Sequence, residues 1–298
     1  MQKMLLLTLF IICFSLNPKI FCTFAVQMRS YSLNINGRLF DLGTPKVMAV
    51  VNATTDSFAF SCTNISEAEI LSMTAQAIAQ GADIIDVGGC STRPGAQPVT
   101  AEEEWRRIDI ALRAIRRTYP DAVLSVDTFR ADIARKAVER YHADIINDVS
   151  GGSDPNMFST VAELAVPYVL TYASPLASDK PISVQVLEFL VRKADELHRL
   201  GVRDVIADPG FGFNKSEEQN YELLKYLNDL CYADLPILVG ISRKSMFYKP
   251  LQTTPDSDMA LTATIAANAM ALKNGANILR VHDVAATKTT IDIIRRII

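Results

Sequence analysis

From Val47 onward, eight short apolar runs recur with helical patterns between them, and that alternation limits the available folds more than any other feature of the chain. The runs cover residues 47–52, 83–89, 123–128, 144–150, 167–173, 204–210, 236–242 and 277–284. They are rich in Val and Ile and nearly continuous in hydrophobicity, as strands covered on both faces must be. Amphipathic stretches separate them, among them 66–80, 101–118, 131–141, 183–200, 220–230 and 258–274. Gly81, Gly201 and Gly275 follow three of these stretches, where a helix end favours a residue at ease in left-handed geometry. Strands alternating with helices pair in parallel, and eight such units over ~250 residues predict a closed (β/α)8 TIM barrel. A doubly wound open sheet is the rival architecture.

Composition narrows the function classes. Hydrophobic residues make up 49% and charged residues 21% of the 298, which suits a large core and argues against disorder. The net charge is −3 and no basic run appears, so nucleic acid is not an expected partner. Five cysteines (Cys13, Cys22, Cys62, Cys90, Cys231) are scattered without a CxxC pair, a pattern of reduced thiols in the cytoplasm. The three histidines, His142, His198 and His282, lack the spacing of a zinc site. Lys3 and the apolar stretch 5–14 have the form of a secretory signal, too short to span a bilayer. Residues 23–25 make a poor cleavage site, and Met28 leads into a polar strand-like stretch, 31–39. We therefore expect 1–27 to be an apolar extension ahead of a working start at Met28. Residues 28–298 should form one domain without stable membrane association, since no linker divides 47–298.

A barrel carries its active site at the C-terminal ends of its strands. Polar residues cluster there: Asn52, Ser91-Thr92-Arg93, Asp127, Asn147-Asp148, Asp208, Ser242-Arg243-Lys244-Ser245, and Arg280 with His282-Asp283. Taken singly, Asp127 or Asn147 could cap the following helix. Asp86, in mid-strand, could serve packing or an internal hydrogen bond. Lys215, Ser216 and Glu217 read as solvated loop residues. Taken together, the strand ends hold too many ionisable groups to be left without partner or ligand.

Seven of these segments resemble the signatures of the dihydropteroate synthase family. They are 52–58 (Asn-Ala-Thr-Thr-Asp-Ser-Phe), 86–96 (Asp-Val-Gly-Gly-Cys-Ser-Thr-Arg-Pro-Gly-Ala), 125–128, 146–149, 208–213 (Asp-Pro-Gly-Phe-Gly-Phe), 240–245 (Gly-Ile-Ser-Arg-Lys-Ser) and 280–284. The resemblance implies an enzyme, a transferase of folate biosynthesis. It would join 6-hydroxymethyl-7,8-dihydropterin diphosphate to 4-aminobenzoate, giving 7,8-dihydropteroate and diphosphate. It also implies a cytoplasmic homodimer and sulfonamide target that uses Mg2+.

The residue types suit that chemistry. Asp127, Asn147 and Asp208 can pair with the hydrogen-bonding edge of a pterin, and such a site rejects analogues that leave its polar groups unpaired. Lys244 can donate to the ring carbonyl, and Arg280 can stack on the flat ring while donating to the leaving group. By resemblance, Asn52, Thr92, Arg93, Arg280 and His282 surround the diphosphate. Asn52 lies by the Mg2+, which keeps water and phosphate oxygens as its other ligands. Phe213, Lys244 and Ser245 form the aminobenzoate slot, and Lys244, Arg280, His282 and Asp127 are the candidate catalytic residues. Loops 53–65 and 90–100 are expected to close over the substrates.

The sequence departs from the family pattern at several places. Thr55 replaces a proline, 59–62 replaces an Asp-Gly turn, Cys90 a glutamate, Thr171-Tyr172 a Met-His pair and Asn214 a glycine. These positions bear on the aminobenzoate half of the reaction and on sulfonamide competition more than on pterin binding. Two other readings stay open. One is a pterin-binding methyltransferase of the methyltetrahydrofolate–corrinoid kind, and the other a pterin-binding paralogue without turnover. Thr92–Pro94 and Ser242–Ser245 favour the synthase, because a methyltransferase has no diphosphate to hold.

Overall fold

The computed structural model describes residues 30–53, 66–90, 99–175 and 179–297. Two strands, β1 (Ser32–Ile35) and β2 (Arg38–Asp41), form an antiparallel hairpin. Eight further strands are parallel: β3 (Lys46–Asn52), β4 (Ile84–Gly88), β5 (Leu124–Asp127), β6 (Ile145–Asp148), β7 (Tyr168–Thr171), β8 (Val205–Asp208), β9 (Leu238–Val239) and β10 (Ile278–Val281). Their order is β8-β7-β6-β5-β4-β3-β10-β9, and a parallel bridge from Ala207 to Ile237 joins the two ends. The open sheet therefore does not form, and the expected barrel does.

The helices in chain order are α1 (Glu67–Ala79), α2 (Ala101–Thr118), α3 (Ala131–Tyr141), α4 (Met157–Leu164), α5 (Ile182–Arg199), α6 (Glu217–Lys225), α7 (Ser245–Tyr248), α8 (Asp258–Lys273) and α9 (Val284–Ile294). Ser66, Thr100, Ser216 and Ser257 cap α1, α2, α6 and α8 by accepting from the third helical N–H. The stretch expected to be helical over 220–230 begins at Glu217, because Ser216 and Gln219 make a reciprocal capping box. Past Lys225 it tightens into a 3-10 turn, Leu227–Ala233. Gly81, Gly201 and Gly275 end α1, α5 and α8 with φ of +92°, +97° and +101°, values that a side chain would resist.

Alternation along the strands divides the core in two. Val47, Ala49, Val51, Ile85, Val87, Val126, Ile146, Leu170 and Ala207 point outward into one cluster with the helices. The opposite parity (Met48, Ile84, Ile145, Val169, Ile206, Leu238 and Ile278, with half-buried Val123) points into the barrel, one residue from each strand or its start. Leu33, Ile35 and Leu42 join this inner layer. The polar-looking stretch 31–39 is thus a hairpin whose buried face closes the barrel floor. Asn34 N and Asn36 Nδ2 pin it to Asp204 (2.9 Å) and Asp144 (2.5 Å) at the strand starts. Residues of the same inward parity, one step further toward the C-terminal ends, form the opposite mouth.

Candidate active site

Above the apolar floor, the inward positions turn polar. Asp86 lies two residues beyond Ile84, Asn147 two beyond Ile145, Thr171 two beyond Val169, Asp208 two beyond Ile206 and Arg280 two beyond Ile278. Strand register sets Asp127 beside Asn147 and Gly88, and Thr171 beside Asp208. Period-two alternation therefore delivers these groups to one cavity. The two inward glycines, Gly88 and Gly240, widen it: a Cβ on Gly88 would touch Asp127 Cβ at 3.5 Å and Asn52 Oδ1 at 3.8 Å, and one on Gly240 would meet Arg280.

Arg280 is the hub. Its Nε donates to Asp86 Oδ2 and its Nη2 to Asp127 Oδ2, each at 2.7 Å. Asn147 Nδ2 donates to the same Asp86 oxygen at 3.1 Å. Burial pushes the Asp127 carboxyl up to about 7, with Arg280 pulling against it and Asp86 adding to the rise. Burial likewise raises Asp208, opposed chiefly by Lys244. Lys244 is lowered to about 8 by burial, although Asp208 favours its charge. Its ammonium donates to Phe211 O and stands 4.8 Å from the Phe213 ring centroid. Ser245 follows as the first residue of α7.

His282 is exposed at the rim, with Nδ1 3.1 Å from Ser242 Oγ. Asn52 is half-buried at the tip of β3. Asp127, Asn147, Asp208, Lys244, Arg280, Phe213, Ser245, Asn52 and His282 thus surround one mouth, whereas Thr92 and Arg93 lie outside the described residues, as do Thr55 and 59–62. Neither Asp127 nor Asn147 caps a helix: the N-terminal amide of α3, at Ala131, is met by Asp154 Oδ2. Asp148, next to Asn147, faces away and is fully engaged by Ser150, Gly152 and the Tyr168 hydroxyl.

One sequence reading needs correction. Lys215 is not a solvated loop residue, although Ser216 and Glu217 are exposed. Its ammonium donates to Gly210 O (2.7 Å), Phe213 O (3.1 Å) and Tyr172 O (3.3 Å), and lies 4.7 Å over the Tyr172 ring. Burial lowers it to about 7. Of the two readings of Asp86, packing or an internal hydrogen bond, the second holds: it is 0% exposed and accepts from two candidate site groups. A third cluster escaped the sequence altogether. Glu104, buried in α2, accepts from Thr128 Oγ1 and Arg130 Nε, and Arg130 reaches Val99 O.

The departures from the family pattern have visible consequences. Tyr172 is buried and edge-on to Phe189, with centroids 5.1 Å apart. Thr171 Oγ1 approaches Asp208 Oδ2 at 3.4 Å. Asn214 adopts φ +47°, the region a glycine would take freely, and its amide donates to Ala173 O at 2.6 Å. Burial and Glu104 raise the Cys90 thiol, which lowers its nucleophilicity.

Comparison with known proteins agrees with this geometry. Residues 48–282 match the family described as pterin binding enzyme. The dihydropteroate synthase of Haemophilus influenzae is 36% identical over 266 residues, covering 86% of this chain and 94% of the relative. The solved dihydropteroate synthase of Xanthomonas albilineans with 4-aminobenzoic acid superposes with a TM-score of 0.82 at 36% identity, covering 90% and 98% of the two chains. The same enzyme in complex with 7,8-dihydropteroate gives 0.77 at 33% identity, covering 89% and 98%.

Proposed function

The chain belongs to the pterin-binding enzyme family, among the dihydropteroate synthases, and we propose how its barrel mouth divides the work of joining 6-hydroxymethyl-7,8-dihydropterin diphosphate to 4-aminobenzoate. The observation that carries this reading is the convergence of Asp127, Asn147, Asp208, Lys244 and Arg280 in one buried cluster at the C-terminal end of the barrel. Asp127, Asn147 and Asp208 meet the pterin edge, and Lys244 donates to its carbonyl. Arg280, His282, Asn52, Thr92 and Arg93 receive the diphosphate. Phe213, Lys244 and Ser245 border the aminobenzoate, whose place a sulfonamide can take.

In the reaction, the methylene C–O bond breaks and its electron pair leaves with diphosphate. The arylamine nitrogen supplies the pair for the new C–N bond and releases a proton. No protein nucleophile takes part. The barrel contributes by holding the two substrates in line and by stabilising the charge that grows on the leaving group.

Asn52 fits a part in holding Mg2+. Among the described residues no group of three His, Cys, Asp or Glu side chains could cage a metal. A cation that takes most of its ligands from water and phosphate oxygens, plus one amide oxygen, suits such a mouth. Bound there, Mg2+ would neutralise charge on the departing diphosphate.

A homodimer through α8 is also part of the proposal. Met259, Ile265 and Met270 on this helix are exposed to 51%, 36% and 46%, an apolar outer surface that a second copy could cover. Sedimentation of Ile265→Glu should then show monomers where the natural chain gives dimers. No helix of the described residues is long and apolar enough to cross a membrane. The cytoplasmic reading rests on the five scattered cysteines, which form no CxxC pair.

Calorimetry tests the main reading. Pterin diphosphate with Mg2+ should bind first and 4-aminobenzoate only afterwards, and Asp208→Asn should abolish the sequence. Purified chain that forms no dihydropteroate from these substrates would overturn it and favour a binder without turnover.

A further inference from the structure

Asp86 is buried among the groups assigned to the substrates and bonds to two of them. It is 0% exposed, and its Oδ2 accepts both Arg280 Nε (2.7 Å) and Asn147 Nδ2 (3.1 Å). An ionised carboxylate can only accept hydrogen bonds, so an amide beside it must turn its NH2 inward. That orientation leaves Asn147 Oδ1 as the free end. This oxygen is buried and has no partner among the described residues, and Asp86 Oδ1 is in the same state. A buried acceptor without a donor costs about 1–3 kcal/mol, which a ligand N–H removes on binding.

The same carboxylate fixes Arg280. The guanidinium is planar, and holding Nε on Asp86 and Nη2 on Asp127 sets both its tilt and its rotation. Gly240, where a Cβ would lie 3.8 Å from Arg280 Cβ, supplies no side chain of its own to pack against the guanidinium stem.

We propose that Asp86 is a positioning residue for the condensation, which locks Asn147 with its amide oxygen toward a donor edge of the pterin and locks Arg280 for the diphosphate. The proposal rests on the pterin reading of the site. Its substance is that one carboxylate, itself out of reach of the reacting atoms, specifies an acceptor at one place and a cation at another. Replacing it by an amide removes both instructions at once. An amide at position 86 can satisfy Asn147 in either orientation, and it cannot neutralise Arg280.

The experiment compares natural chain, Asp86→Asn, Asp86→Ser and Asp148→Asn by calorimetry with 6-hydroxymethylpterin and, separately, with Mg2+ and inorganic diphosphate. Asp86→Asn should weaken both ligands by about 10- to 100-fold. Asp86→Ser keeps an acceptor for Asn147 without the charge, so it should weaken diphosphate more than pterin. It also serves if Asp86→Asn folds poorly. Asp148→Asn removes an equally buried carboxylate that faces away from the mouth. It should lower the melting temperature while leaving both affinities within about threefold. In an Asn147→Ala background, Asp86→Asn should cost clearly less pterin affinity than it does in the natural chain, because much of its effect on pterin runs through Asn147. Additive losses would overturn the proposal, as would near-natural affinities in Asp86→Asn. If the natural chain binds neither ligand, the pterin reading fails and takes this one with it.

Discussion

Asp127 and Arg280 meet across the barrel mouth, with Nη2 donating to Oδ2 at 2.7 Å, yet burial outweighs this partner and pushes the carboxyl up to about 7. Asp127 is therefore poised to accept a second donor beside Arg280. A pterin edge that donates to Asp127 favours the ionised form, as Arg280 does.

The raised value has a sign that can be measured. The ordinary value is 3.8 and the folded value is higher, so the stability contributed by Asp127 is complete below about pH 3.8 and is lost as pH rises through about 7. Asp127→Asn does not titrate. Urea midpoints of the variant relative to the natural chain should rise from pH 4.5 to 7.5, and its pterin affinity should lose the acid limb near pH 7. A constant difference across that range would contradict the assignment.

Lys215 gives the opposite slope. Burial lowers it from 10.5 to about 7, so the unfolded chain holds this proton longer and stability rises with pH across that interval. Lys215→Met should flatten the rise. At pH 7 it should also cost about 1–3 kcal/mol by stripping a donor from three carbonyls. The KM for 4-aminobenzoate should increase more than that for the pterin, because Phe213 hangs on one of those carbonyls. Equal changes in the two constants would show that Lys215 serves the fold alone.

Gly210 tolerates no side chain. Its φ is +67°, and a Cβ there would lie 2.0 Å from Tyr172 O. Its N–H also donates to Asp208 Oδ1 at 2.8 Å. Gly210→Ala should displace the turn, break that bond and destabilise the chain by about 3 kcal/mol or more. Denaturant melts read the stability, and pterin calorimetry reads the displaced carboxylate.

Arg243 provides a contrast. It pairs with both oxygens of Asp283 at 2.7 and 2.8 Å and donates to Pro255 O at 2.7 Å, tying the tips of β9 and β10 to the loop before α8. Both partners are partly exposed, so Arg243→Ala should cost a modest amount, about 1–2 kcal/mol. It points away from the cavity by virtue of φ +54°, and pterin affinity should stay within about threefold. A larger loss of affinity would place it in the site.

Much of this was legible in the sequence because two periods dominate it. The eight runs set the barrel, and polar residues cluster at their ends within motifs that resemble the family's. Asp127, Asn147, Asp208 and Arg280 could therefore be named before any coordinates. What escaped notice depends on contacts between distant segments. Lys215 reads as solvated until the chain 43 residues earlier supplies the Tyr172 carbonyl. Asp86 looks like a lone mid-strand carboxylate until Arg280, 194 residues away, arrives beside it. Glu104 sits among other acids in the first turn of α2, where an unpaired carboxylate is ordinary, and only Arg130 and Thr128 mark it out. The floor hairpin was obscure because β1 alternates polar Ser32 and Asn34 with Leu33 and Ile35 over only four residues, and β2 has no buried position.

The hairpin of Leu33, Ile35 and Leu42 makes the barrel a vessel with a stoppered base. Among the described residues the base is filled by apolar side chains, which directs ligands to the rim. If the proposed pterin site lies deepest, its ligand should enter first and leave last, an order set by the closed base as much as by affinity. Loosening the stopper should damage durability while leaving that order intact.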